Sequence, residues 1–142
     1  MGLAENKKIA SELLACFTAG DVAGALDMMT DDATWWIPGK PGTAPIVGTL
    51  SKEQIGKLFH RMTAQLTDGL RMTVKGAVAE GNKVAVEVES KGTLRNGRIY
   101  NQQYHVLMEL REGQICAVRE YLDTQHVIAV WFTQDAASTG SG

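Results

Sequence analysis

The sequence predicts an α+β fold in which a curved antiparallel sheet wraps around N-terminal helices, forming a cone with an internal pocket. Three observations carry this. Up to Leu66 the apolar residues recur at helical spacing in three stretches; from Leu70 apolar and polar residues alternate with period two; and the alternating runs are joined by hairpin-type turns. Helices grouped ahead of an antiparallel meander pack on one face of the sheet. Strands as long as these twist and curl, and a curled sheet closed by helices leaves a hollow suited to a small ligand.

The elements follow in order. Ile9, Leu13, Cys16 and Phe17 mark a first helix over 6–18, with Gly20 as its stop and Asp21 as N-cap of a short second helix carrying Val22, Leu26 and Met29. Residues 33–37 read as a strand ending at Pro38, and 39–48, with three Gly and two Pro, as a loop. Ser51 and Gln54 form a capping box ahead of the stripe Ile55, Leu58, Phe59, Met62 and Leu66, the signature of a helix packed on one side. Strands are expected over 70–79, 83–94, 98–110 and 114–122, joined at Glu80-Gly81-Asn82, Asn96-Gly97 and Glu112-Gly113. Asp123 or Thr124 caps a short last helix with Val127, Ile128 and Val130, and the small, polar residues 135–142 are expected to be a disordered tail. Residues 1–134 then form one domain.

Composition excludes several classes of function. Of 142 residues, 44% are hydrophobic and 21% charged, and the formal charge is −2. That is a soluble domain with a core of ordinary size, and it lacks the basic block that nucleic acid requires. No apolar run reaches the roughly 18 residues of a membrane span, and no signal-peptide pattern opens the chain, so the expected location is cytoplasmic. Cys16 and Cys116 stand far apart, outside any metal-binding spacing, and read as small buried hydrophobes. His60, His105 and His126 are scattered, and Gly39 and Gly42 lack the Lys-Ser/Thr of a phosphate loop. No metal and no cofactor are expected.

The order of elements, together with Ala19-Gly20-Asp21, Asp31-Asp32-Ala33-Thr34, Gly97-Arg98-Ile99-Tyr100-Asn101 and Arg119-Glu120-Tyr121-Leu122-Asp123-Thr124-Gln125-His126-Val127, resembles the nuclear-transport-factor-2-like superfamily. The C-terminal half is similar to its SnoaL-like branch, which is related to ketosteroid isomerases, and the resemblance runs over about residues 5–132. It implies a small-molecule pocket and a homodimer joined through the sheet. It leaves the function open among isomerase, hydrolase, cyclase and non-catalytic modules. The positions matching the Tyr and the Asp base of ketosteroid isomerases are Leu13 and Ile37, so that base is missing. Against limonene epoxide hydrolases, Glu89 and Glu120 stand where an Asp pair would be, Glu87 replaces the bridging Arg, and Trp35 and Ile37 fall near the water-holding residues.

Strand parity frames the candidate site. Val84, Val86 and Val88 share one face of their strand; Ala85, Glu87, Glu89 and Lys91 share the other. Parity alone buries the valines against the helices and leaves both Glu in water. The resemblance reverses this, turning Glu87 and Glu89 into the cone and the valines toward a partner. Glu120 shares a face with Cys116, Val118 and Leu122, and Tyr100, Gln102 and Tyr104 share a face of the neighbouring strand. Of the adjacent Trp35 and Trp36, Trp35 is expected inside, while Trp131 and Phe132 are expected over the rim or against a partner.

The candidate catalytic pair is Glu89 and Glu120, with a pocket lined by Leu13, Trp35, Ile37, Phe59, Met62, Glu87, Gln102, Tyr104 and Leu122. Two carboxylates sharing a dry site cannot both ionise cheaply, so one would act as acid and the other as base on a small, largely apolar molecule. The other reading is a binding or accessory module on the same fold.

Overall fold

The computed structural model describes residues 2–133; the expected tail, 135–142, lies outside the described residues. Helix α1 (Leu3–Ala19) ends at Gly20, whose φ of 69° is the left-handed conformation that lets the chain turn. The Asp21 carboxylate accepts from the Gly24 N–H and so caps α2 (Val22–Asp27). Strand β1 (Met29–Ile37) is followed by β2 (Gly48–Ser51), and the Ser51/Gln54 capping box opens α3 (Lys52–Gln65). The meander is β3 (Arg71–Glu80), β4 (Lys83–Thr93), β5 (Ile99–Tyr100), β6 (Gln103–Arg111) and β7 (Gln114–Leu122). The Asp123 carboxylate accepts from the His126 N–H to cap α4 (Thr124–Val127), which runs on into a π-helical turn, Ile128–Phe132.

The seven strands form one sheet in the order β2-β1-β7-β6-β4-β3, with β5 pairing β4. All pairs are antiparallel except β1 with β7, which are parallel. The α+β cone expected from the sequence is therefore the fold. Three features go beyond it. The end of the expected loop forms β2 on the edge of β1, β1 docks in parallel on β7, and the expected strand 98–110 is broken at Asn101-Gln102 into β5 and β6. The break has a local cause, because the Gln102 side-chain carbonyl accepts from the N–H groups of Gln103 and Asp123 and bends the chain there.

Parity of β4 decides which way the sheet faces. Val84, Val86 and Val88 are buried, while Glu87, Glu89 and Lys91 are exposed. The register continues the buried row across the sheet, through Val86–Val106–Glu120 and Val88–Tyr104–Leu122. This inner face meets α1 and α3. Burying each valine contributes roughly 1.5–3 kcal/mol, more than turning two paired or hydrated glutamates outward could cost. The inward placement of Glu87 and Glu89 implied by the resemblance is thus corrected.

Candidate functional site

A cavity of about 330 Å³ lies between the inner face of the sheet, α1, α3 and the C-terminal segment. It is at the small end of the roughly 300–1,000 Å³ typical of ligand pockets. Its floor is an aromatic cluster. Phe17 and Phe59 meet edge to face at 4.7 Å, Trp35 and Phe59 at 5.0 Å, and Phe17 and Trp35 at 6.2 Å. Each side chain comes from a different element, α1, α3 and β1. Tyr100, Tyr104, Glu120 and Leu122 line the sheet side, and Val127, Trp131 and Phe132 close the end. Exposed Pro45, Arg61 and Gln65 also line it and mark its opening to solvent.

Among the described residues Glu120 is the one carboxyl in this lining. It is placed by β7, where Val118 and Leu122 flank it on the same face and Val106 lies opposite. Among the described residues no hydrogen bond or ion pair reaches its carboxyl. Its side chain is half-buried and lines the cavity, with mostly apolar and aromatic side chains around it. Burial pushes its pKa up to about 7. At neutral pH it divides between acid and base, which suits proton exchange.

The two phenols nearby behave differently. The Tyr104 hydroxyl is bonded to Ser90 Oγ at 2.9 Å and donates to the Tyr100 hydroxyl at 3.5 Å. Burial, reinforced by the charge of Glu120, pushes Tyr100 up to about 12, and burial with the neighbouring Tyr100 and Glu120 raises Tyr104 well above the ordinary phenol. Both stay protonated at neutral pH and serve as hydrogen-bonding groups only. The indole N–H of Trp35, buried in the same wall, has no acceptor among the described residues.

Of the residues assigned to the pocket from sequence, Trp35, Ile37, Phe59, Met62, Tyr104 and Leu122 line the cavity, as does Glu120. Four do not. Glu89 stands on the outer face with its side chain half exposed, 3.9 Å from Lys75 Nζ, so the structure does not bring it together with Glu120. Glu87 shares that outer face, opposite His105. Leu13 is fully buried behind the lining, and its helix presents Leu14 and Phe17 instead. Gln102 is buried, and its amide is already engaged: Nε2 donates to the Asp123 carbonyl at 2.8 Å and to the Tyr100 hydroxyl at 3.4 Å, while Oε1 accepts from Asp123 N–H at 3.0 Å. It ties β7 to the start of β6.

Sequence reasoning missed the contribution of the C-terminal segment. Trp131 packs edge-on against Tyr100 at 5.3 Å and lines the cavity. The Arg98 guanidinium holds this segment by donating to the carbonyls of Ala129 and Val130, both at 3.2 Å, and of Thr133. The His126 ring stacks on Tyr100, and its Nε2 accepts from Asn101 N–H. Thus Arg98, Tyr100, Asn101, Asp123 and His126, conspicuous in the sequence, fasten the closing segment to the sheet. The pairing of a turn-borne Arg98 with uncapped carbonyls at the end of the last helix was the available signal.

A sequence profile of the SnoaL-like domain matches residues 10–118. No curated protein matches the sequence significantly. Among solved structures, PrhC from Penicillium brasilianum is similar over 90% of this chain and 86% of its own, at 12% identity and a TM-score of 0.79. TerC, co-crystallised with polyporic acid, covers 89% of this chain and 97% of its own, at 21% identity and 0.75. An NTF2-like protein from Burkholderia xenovorans covers 92% and 98%, at 23% identity and 0.70. At these identities the likenesses establish the fold alone. The profile match, by its extent, establishes the family: the chain belongs to the SnoaL-like domain family.

Proposed function

We propose that this chain, as one SnoaL-like cone domain over 1–134, binds a small, largely apolar molecule in its cavity and exchanges a proton with it through Glu120. The reaction class is a cofactor-independent isomerisation, hydrolysis or cyclisation, carried out in the cytoplasm. The observation that carries this reading is the unpartnered Glu120 carboxyl, held near neutral pKa in an aromatic-lined cavity. A similar structure, TerC, was co-crystallised with polyporic acid, which supports occupation of the fold by a small organic molecule. With Glu89 on the opposite face, Glu120 must both give and take the proton, while the Tyr100 hydroxyl can donate to a substrate oxygen.

The reading includes a homodimer through the outer face of the sheet. Its support is the apolar patch that Val78, Leu107, Trp36 and Tyr121 present beside the charged row of Glu87, Glu89 and Lys91; Val78 is 69% and Tyr121 45% exposed.

A non-catalytic binding module is the second reading, favoured by the single carboxyl and by phenols that hold their protons. One experiment separates the two. Binding of the neutral fluorescent probe N-phenylnaphthylamine is measured for the wild type and Glu120→Gln, and both are screened by NMR against enolisable ketones, epoxides and esters. The catalytic reading expects probe binding by both proteins and turnover that falls about 100-fold or more in the variant. Probe binding without any turnover leaves the binding module. No probe binding removes both readings.

A further inference from the structure

Among the described residues Glu120 lacks a counter-charge and a built-in substitute for one. The elements facing it bring the phenols Tyr100 and Tyr104, the indole of Trp35 and aliphatic Val106 and Leu122. His126 lies behind Tyr100, with its Nε2 already accepting a hydrogen bond. Arg61, the one cationic side chain of the lining among the described residues, is exposed on α3 at the opening and makes no ion pair with Glu120. Six aromatic side chains share the cavity lining with the carboxyl and with aliphatic residues: Phe17, Trp35, Phe59, Tyr100, Tyr104 and Trp131. Aromatic faces carry negative potential and attract cations, and a carboxylate among them repels anions.

We propose that the cavity selects a hydrophobic amine, with its ammonium seated against the Glu120 carboxylate and its apolar body among the aromatic walls. The proposal rests on the reading of the cavity as the ligand site. A buried ion pair often fails to repay the desolvation of its two members. Here the cost of stripping water from the carboxylate already falls on the fold, and an arriving cation adds only its own, which the aromatic faces partly offset. An anionic ligand meets repulsion at Glu120 and at the aromatic faces. A neutral ligand of equal size gains the apolar contact but not the charge pair.

The charge pair also sets a pH dependence. Unliganded Glu120 keeps its proton below about pH 7, and that proton must leave before an ammonium can pair with it. Apparent amine affinity therefore falls about tenfold for each pH unit below that value, while the affinity of a neutral ligand does not.

The test uses naphthylmethylamine and its neutral counterpart naphthylmethanol, each displacing N-phenylnaphthylamine from the full chain between pH 6 and pH 8.5. The expected result is that the amine binds at least about tenfold tighter than the alcohol at the upper pH, loses that advantage toward pH 6, and loses it at all pH values in Glu120→Gln, whose retained alcohol binding and melting curve show an intact fold. Equal affinities, or a tighter alcohol, overturn the amine and leave the cavity reading standing. Failure of the probe itself to bind removes the cavity reading and the amine with it.

Discussion

Glu89 and Glu120 are the same side chain on two strands of the same sheet, in opposite surroundings. On the outer face, Glu89 is half exposed and 3.9 Å from Lys75 Nζ. On the inner face, Glu120 has no polar partner and is held up to about pH 7 by burial. The outer face of β4 carries charge because water and opposite charges are at hand there. The inner face tolerates one carboxyl because a cavity, rather than packed side chains, lies in front of it. The contrast teaches that strand parity assigns a face, but only the space in front of that face gives a carboxyl its chemistry.

The sharpest way to break the contrast is to add a carboxyl inside where no cavity receives it. Val86 is buried, sits in the same cross-strand row as Glu120, and does not line the cavity. Val86→Glu should cost roughly 3–5 kcal/mol in urea unfolding, because an unpaired charge is buried. A cost below about 1 kcal/mol would mean that the inner face is not dry.

Next in size is Glu120→Gln. Since the folded carboxyl titrates near 7 rather than 4.5, the native state keeps a proton that the unfolded chain releases. Wild-type stability should therefore decline between about pH 4.5 and pH 7, by about 3 kcal/mol in total, and the Gln variant should lack that decline. Parallel pH–stability profiles for the two proteins would contradict the burial of Glu120.

Gln102→Leu removes the amide that bonds the Asp123 backbone in both directions. The loss should be about 1–3 kcal/mol, with faster hydrogen exchange in the segment after β7. The smallest effect belongs to Glu89→Gln, within about 0.5 kcal/mol and without change in ligand uptake, since the pair with Lys75 is solvated.

These comparisons also show where the sequence was informative. Gly20, Asp21, the Ser51/Gln54 box and the hairpin turns are local signals, and they mark element ends in the structure. Met29, expected in the second helix, opens β1 instead, and the strand expected over 98–110 is split into β5 and β6. The parity of β4 was legible too: alternation alone buries Val84, Val86 and Val88, and the resemblance argued the reverse. Glu120 stood out as a carboxyl among apolar neighbours of one strand face, and the structure places it in the cavity lining. What was not legible is non-local. Parallel pairing of β1 with β7 leaves no turn signal in the chain. The choice of Leu14 and Phe17 over Leu13 depends on how α1 rolls against the sheet. Gln102 has the right parity for a pocket wall, but its amide is claimed by Asp123, distant in sequence. Trp131 lines the cavity on a segment that Arg98 and His126 tie to the sheet from afar in sequence.

The central claim is that Glu120 is a solvent-stripped carboxyl facing a ligand cavity. Carbon-detected NMR titration of the glutamate side-chain carboxyls, with Glu120 assigned by its disappearance in Glu120→Gln, tests it most directly. The account predicts that the missing resonance is one with a midpoint near pH 7. If the resonance lost in the variant titrates instead near the ordinary glutamate value of about 4.3, the carboxyl is hydrated and the proton-exchange role falls.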